Sequence, residues 1–254
     1  MTETALAGKI QDALRHQAPL GRDIERIGPF LATFTRSTDN PYLNYAIPDE
    51  GSSASPAEVE ALVATYHSRA RKPRLEYIAG TAPAIEPVLL AAGFESEGRL
   101  PLMTFDEQVE LVVPGGIELV APETDDELRG AAETQWKAYG ESGAQPQSAV
   151  DGLRRVADGG GIVLLARDVA TGEPAGAGLC TPPHEGVTEL TSIAVRSAFR
   201  RRGIAAALTN RLARAALERG MTLVFLMAAG ADEARIYARA GFVERGDVLH
   251  ISHI

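Results

Sequence analysis

The order of elements between Glu189 and Phe242 constrains the fold of this chain more than any other feature. A β-rich run, Glu189-Leu190-Thr191-Ser192-Ile193-Ala194-Val195, leads into a basic glycine loop, Arg200-Arg201-Arg202-Gly203-Ile204-Ala205. A helix then continues to Gly220, followed by an apolar strand, Thr222–Met227, and by Tyr237-Ala238-Arg239-Ala240-Gly241-Phe242. The first amides of a helix have no partner within it and sit at the positive end of its dipole. Placed behind arginine and glycine, they suit a phosphorylated ligand. The plain alternative is a solvated arginine run ahead of a helix.

The rest of the chain alternates in the same manner. A spacing of four residues puts Leu6, Ile10 and Leu14 on one face of a helix. Strands are expected near Ile24–Thr35 and Tyr42–Ile47. Ser55-Pro56 starts a helix that carries Val59, Leu62, Val63 and Tyr66 on one stripe and stops before Pro73. Strand Arg74–Ala79, helix Ile85–Ala92 and strand Leu100–Phe105 follow, and residues 107–116, ending in Pro114-Gly115-Gly116, read as a connection. Beyond it come strand Ile117–Ala121, a helix from Thr124 with an acidic first turn, a short helix around Val150–Val156, and strands Ile162–Asp168 and Ala175–Thr181. Alternating strands and helices predict an α/β layered fold, with helices packed on a mixed sheet.

Charge and cysteine content narrow the function classes. The chain has 254 residues and a net charge of 25 − 34 = −9, so no global field draws nucleic acid, and the arginine run is a local exception. Cys180 is the only cysteine, which excludes an internal disulfide and a cysteine-based metal cluster and suits a reducing cytoplasm. Met1-Thr2-Glu3-Thr4 lacks the order of a signal peptide, and no apolar run approaches membrane-spanning length. A soluble, cytoplasmic protein is expected. No metal site is expected, because His184 falls in a turn and the i, i+3 spacing of His250 and His253 is not a ligand pattern in a strand. Gly176-Ala177-Gly178 lacks the third glycine and the following helix of a dinucleotide fingerprint.

The two halves also read as related. At an offset of 241 − 93 = 148 residues, Gly93-Phe94 meets Gly241-Phe242, and Leu31, Thr33, Ala46, Leu75 and Gly98 meet identical residues. The expected domains are 1–108 and 109–254.

The motifs of the second half resemble the GNAT superfamily of acetyl-CoA-dependent N-acetyltransferases. Arg200-x-x-Gly203-x-Ala205 is similar to the family's Q/R-x-x-G-x-G/A loop, Ile193-Ala194-Val195 to its fourth strand, and Tyr237 with Gly241-Phe242 to its Y-x-x-x-G-F ending. The resemblance implies a GNAT-like, mostly antiparallel mixed sheet flanked by helices, in two tandem copies. It also implies that acetyl-CoA is the co-substrate. The amides of Arg201, Arg202, Gly203, Ile204 and Ala205 would then hold the pyrophosphate, and Arg200 to Arg202 would pair with the outer phosphates. The main chain of Ile193, Ala194 and Val195 would hold the pantetheine arm and polarise the thioester carbonyl. Glu189 stands where the family's proton acceptor stands, with Thr191 on the same strand face to position a water. Tyr237 stands where the family's donor to the departing thiolate stands. A strand glutamate without a catalytic role and a tyrosine packed beside Ile236 are the plain alternatives. Trp136 and Tyr139 fit either an acceptor wall or the core.

Two features depart from the family: Gly230-Ala231 replaces an asparagine before the last helix, and Ala205 replaces the commoner glycine. In the first half the loop's counterpart is Ser52-Ser53-Ala54-Ser55-Pro56-Ala57, without arginine or glycine, and Tyr237 is matched by Leu89. The resemblance therefore implies one cofactor site and a degenerate N-terminal copy. The acceptor would be a small-molecule or peptide amine, chosen by the segment Gly140–Gln147 and the last hairpin, with the protein a monomer or homodimer. A non-catalytic acyl-CoA-binding or sensing module and a cofactor-free interaction scaffold remain as other readings.

Overall fold

The chain folds as two compact units, residues 1–102 with 245–254, and residues 103–244. The computed structural model describes all residues except 1, 37, 107, 108, 139–142, 144 and 146. Seven α-helices and eleven strands occur among the described residues, and most of the strand pairs are antiparallel.

The first unit holds α1 (Glu3–Gln17), β1 (Asp23–Ile27), β2 (Phe30–Phe34), β3 (Ala46–Pro48), α2 (Pro56–Ser68), β4 (Arg74–Tyr77), α3 (Ile85–Ala91) and most of β5 (Phe94–Phe105). Its strands follow the order β1-β2-β3-β4-β11-β5, in which β11 (Phe242–His253) pairs antiparallel to β4 through Leu249↔Tyr77 and Ile251↔Leu75. Ile10, Phe30, Leu62, Tyr66, Leu75 and Leu89 fill its core. The strand expected over Ile24–Thr35 is a hairpin that turns at Gly28-Pro29. Gly28 has φ +52°, and a Cβ there would lie 2.3 Å from Glu58 Oε1, so a side chain at this turn would be strained and would displace the Glu58 carboxylate. Tyr42 belongs to a 3-10 turn, Pro41–Leu43, whose first amide is capped by Asn40, and the strand is confined to Ala46–Pro48. β5 starts at Phe94, earlier than the charged residues Glu95, Glu97 and Arg99 suggest.

The second unit begins with the end of β5. It continues through β6 (Ile117–Val120), α4 (Asp125–Ala138), α5 (Gln147–Asp158), β7 (Ile162–Asp168), β8 (Pro174–Cys180), β9 (Val187–Val195), α6 (Ile204–Glu218), β10 (Leu223–Met227), α7 (Ala231–Arg239) and the start of β11. The strand order is β11-β5-β10-β9-β8-β7-β6. Each sheet face has its own core. Ile162, Leu164, Cys180, Leu190 and Val224 pack with Ile204, Leu208 and Leu212 of α6. Val163, Leu165, Ala177 and Leu179 pack with Leu128, Ala131, Val150 and Leu153 of α4 and α5. Helix α4 opens on Thr124, whose hydroxyl accepts the Glu127 amide at 3.2 Å while Glu127 returns to the Glu123 and Thr124 amides.

Both halves carry the order strand, strand, strand, helix, strand, helix, strand. Two glycine pairs at the 148-residue offset share their backbone conformation: Gly93 and Gly241 at φ +87° and +96°, and Gly98 and Gly246 at +149° and +147°. No helix among the described residues is long and apolar enough to cross a membrane.

Candidate functional site

The parallel pairing of β9 with β10 covers only Val187↔Leu223, Thr188↔Val224 and Glu189↔Phe225 among the described residues. Beyond Glu189 the β10-facing edge of β9 is open. On its other edge β9 pairs with β8, and there the register shifts: Ala177 meets Ala194, while Leu179 meets Thr191. One extra residue on β9 makes a β-bulge. Ser192 takes it up at φ +57°, a conformation rare for a residue with a side chain.

The bulge reverses the side-chain alternation. Leu190 packs into the core under α6, and beyond the bulge Ile193 and Val195 pack against that same core. Glu189 and Thr191, offset by one from Leu190, face the other way and are half-buried. Main-chain direction follows by the same parity. The Arg196 amide donates to the Ala175 carbonyl of β8 at 2.9 Å, so Ile193 and Val195 turn their amides and carbonyls away from β8, toward the open edge. The Val195 carbonyl accepts Arg200 Nε at 3.2 Å.

Three groups hold the bulge in place. Gln135 of α4 donates from Nε2 to the Ser192 carbonyl at 3.0 Å. A Cβ on Gly178 would stand 2.3 Å from Ile193 Cδ1, and one on Gly176 would stand 3.0 Å from the Ala194 carbonyl. The two glycines of Gly176-Ala177-Gly178 thus serve close approach of β8 to β9 and α6.

The strand ends on a short 3-10 turn, Ser197–Phe199, anchored by the buried Phe199 ring. Arg200 is extended, Arg201 is left-handed at φ +61°, and Gly203 is left-handed at φ +82°, ψ +1°, as the N-cap of α6. Two left-handed residues on either side of Arg202 curl the main chain into a concavity of amides, a conformation that holds anions. No side chain caps α6. Its ladder begins with the Ala207 amide bonded to the Gly203 carbonyl, so the amides of Ile204 and Ala205 precede it. Arg200, Arg201, Arg202 and Gly203 are exposed, Ala205 is half-buried and Ile204 is buried. The Arg202 guanidinium lies 5.5 Å from the Phe199 ring centroid.

Tyr237 lies on α7, half-buried against the core that receives Ile193 and Val195, with its ring 6.5 Å from Phe242. The residues singled out from the sequence thus fall on one strand edge, the loop that follows it, and a helix against the same core. Asn210, Gln135 and Ser192 were not singled out. Asn210 is buried in α6 and ties Val109 at 2.6 Å, Ala240 at 3.1 Å and Leu111 at 3.3 Å, which fixes the end of α7 beside Tyr237. An asparagine on a helix of alanine and leucine is the only sequence trace of that role. Trp136 is half-buried with its indole N–H lacking a partner, whereas Tyr139 and most of 140–147 lie outside the described residues. Cys180 is buried, and burial pushes its thiol up to about 12, which disfavours the thiolate.

In the first unit the corresponding helix start is closed. The Ser55 amide and hydroxyl donate to Glu58 Oε2 at 2.7 and 2.8 Å, and the Glu58 amide returns to Ser55 Oγ at 3.3 Å. These bonds hold the Glu58 carboxyl below its ordinary value. The Gly51 amide donates to the Thr81 carbonyl at 2.7 Å, bridging the segments that follow β3 and β4.

The model of the acetyltransferase (GNAT) family matches residues 127–242, which contain the whole of this site. No curated protein sequence matches the chain. A solved GCN5-related N-acetyltransferase from Kribbella flavida superposes with a TM-score of 0.79 at 22% identity, covering 98% of this chain and 95% of its own. One from Sphaerobacter thermophilus gives 0.64 at 18% identity over 88% and 76%. A tandem GNAT protein from the clavulanic acid biosynthesis pathway gives 0.64 at 14% identity over 97% and 86%. These structures share the fold along nearly the whole chain. Residues 127–242 are thus similar to the acetyltransferase (GNAT) family, whose members transfer an acyl group from acyl-CoA.

Proposed function

We propose that the protein is an acetyl-CoA-dependent N-acetyltransferase of the cytoplasm, acting on a primary amine of a small molecule or peptide. The observation that carries this reading is the open edge of β9 beyond Glu189, running into the uncapped start of α6. The pyrophosphate would bind the amides of Arg201 to Ala205, with Arg200, Arg201 and Arg202 on the outer phosphates. The pantetheine arm would run along Ile193 and Val195, past Ala194. The amide at Ile193 would polarise the thioester carbonyl. Glu189, through water positioned by Thr191, would accept the proton of the attacking amine. The nitrogen–carbon bond forms, the carbon–sulfur bond breaks, and Tyr237 supplies a proton to the departing thiolate.

The first half, about residues 1–108, reads as a degenerate copy of the half that follows, about 109–254. The shared element order and the matched glycine conformations support the duplication. Glu58 occupies the helix start that a phosphate would need, which supports the degeneracy. One cofactor site per chain follows.

Thiol release from acetyl-CoA, screened against polyamines, aminoglycosides, amino acids and peptides, tests the reaction. Tyr237→Phe is expected to lower kcat about 100-fold with acetyl-CoA affinity nearly unchanged, the usual size of a lost general acid. An unchanged kcat removes Tyr237 from the mechanism, and release that no amine stimulates favours the non-catalytic acyl-CoA-binding reading. Gln135 acts as a positioning residue through Ser192. Gln135→Leu is expected to lower kcat about tenfold at unchanged acetyl-CoA affinity, and equal kcat in the two proteins would show that the bulge holds without it.

A further inference from the structure

We infer that residues 109–114, which read in the sequence as a mere connection between the halves, are a working part of the transferase site. Through Asn210 they hold the helix that carries Tyr237 in the place its proton transfer requires. The inference rests on the acetyltransferase reading above, and Asn210 acts in it as a positioning residue through Tyr237.

Helix α7 has little hold of its own. It is nine residues long, none of them is buried, and no side chain caps its start. So short a helix is marginal in isolation, and its place depends on what grips it from outside. Ala234 and Tyr237 rest on the core, and a firmer grip comes just past the helix end. Ala240 is fully buried, so its carbonyl needs a partner, and Asn210 Nδ2 donates to it at 3.1 Å. The Ala240 amide in turn donates to the Tyr237 carbonyl at 2.9 Å, which puts the tyrosine one hydrogen bond away from the gripped residue. The next carbonyl, of Gly241, accepts the Asp106 amide at 3.2 Å.

A grip positions only if its other end is fixed. Asn210 is 3% exposed on α6, its Nδ2 also donates to the Val109 carbonyl at 2.6 Å, and its Oδ1 accepts the Leu111 amide at 3.3 Å. These bonds use both donor hydrogens and the acceptor of the side-chain amide. The connecting segment is itself seated. Leu111 and Val113 pack on the same core as Tyr237, while Glu110 and Val112 are exposed, the alternation of an extended chain laid on a surface. At its end the Pro114 carbonyl accepts the Ile117 amide at 3.1 Å, and Pro114 Cγ stands 3.7 Å from where a Cβ on Gly203 would be. The segment thus runs from the end of α7 to the turn before α6, the places that the reading assigns to thiolate and pyrophosphate.

A double-mutant cycle in the full chain tests this, with the best amine from the thiol-release screen. Asn210→Ser, whose smaller side chain leaves room for a water on the freed carbonyls, should lower kcat about 20-fold with acetyl-CoA affinity within about threefold of the parent, because a displacement of ~1 Å at a reacting group costs up to about 100-fold. Leu111→Pro removes the segment's amide from the same junction without touching α6 or α7, and should lower kcat about fivefold. In the Tyr237→Phe background each change should alter kcat less than about twofold, since both act through the phenol. Hydrogen exchange supplies a readout without activity: the amides of α7 should exchange at least about tenfold faster in Asn210→Ser, with those of α4 unchanged. Equal losses of kcat in the two backgrounds, or α7 amides that keep their parental rates, overturn the inference and leave the acetyltransferase reading standing. A Tyr237→Phe protein with parental kcat removes Tyr237 from the mechanism and this inference with it.

Discussion

Gly203→Asp is expected to weaken acetyl-CoA binding at least about 100-fold while leaving the melting temperature within a few degrees. Gly203 is the N-cap of α6 at φ +82°, and no side chain caps that helix. Forcing a residue with a side chain into the left-handed region costs about 1–2 kcal/mol, less for aspartate, which tolerates it. A capping carboxylate returns about 1 kcal/mol. The fold therefore changes little. The ligand meets a carboxylate seated on the amides it needs and repelling its own charge, and a 100-fold loss corresponds to about 2.8 kcal/mol. Helix α2 already shows this state, since Glu58 accepts both donors of Ser55. Gly203→Ala separates the effects, because it carries the strain without the charge and should lose much less affinity. Calorimetric titration with acetyl-CoA checks both variants, and an aspartate variant that binds within threefold of the parent would remove the α6 start from the site.

Helix starts were legible because their chemistry is local. Ser55-Pro56 with Glu58, and Thr124 with Glu127, carry their caps within four residues, and both helices begin there. Strand β7 was legible for a different reason, a continuous apolar run buried on both faces. What depends on a distant partner was hidden. A strand was expected only from Leu100, yet Glu95, Glu97 and Arg99 also lie within β5, where Glu97 and Arg99 are ion-paired. The basic loop stood out as an anion site because arginine and glycine announce it. The bulge at Ser192 did not, since a serine in a β-rich run gives no sign of a left-handed angle. Its trace lay on the neighbouring strand, in Gly176 and Gly178, whose missing side chains make room for Ala194 and Ile193. Nothing in the string tells that Gln135, 57 residues away, reaches the Ser192 carbonyl.

Arg74→Met is expected to destabilise the first unit by about 3–5 kcal/mol, the range for breaking a buried ion pair by removing one partner. Arg74 is fully buried, and its guanidinium pairs with Glu76, with Glu97 at 2.8 Å and with His250 Nδ1 at 2.8 Å, while lying 4.6 Å from the Tyr42 ring centroid. Burial works against its charge, and Glu76 and Glu97 outweigh that effect and hold it above its ordinary value. At roughly 4 °C per kcal/mol for a unit of this size, its calorimetric transition should fall by about 12–20 °C at pH 7. The pH dependence identifies the cause. Burial alone would raise Glu97, yet Arg74, with Ser252 and Lys72, brings it down to about 2. A carboxyl depressed in the folded state stabilises above its unfolded value, near 4.5, and that contribution is lost as pH falls toward 2. His250 is lowered by burial, so the unfolded chain binds its proton first and stability also declines as pH drops below about 6.5. Both groups make the parent less stable in acid. Without Arg74 the cation is gone, Glu97 rises, and a protonated His250 beside Glu76 becomes the available positive charge. The gap between parent and Arg74→Met should therefore narrow from pH 7 to pH 4. A gap that stays constant over that range would assign the loss to packing of the long side chain and not to the buried charges.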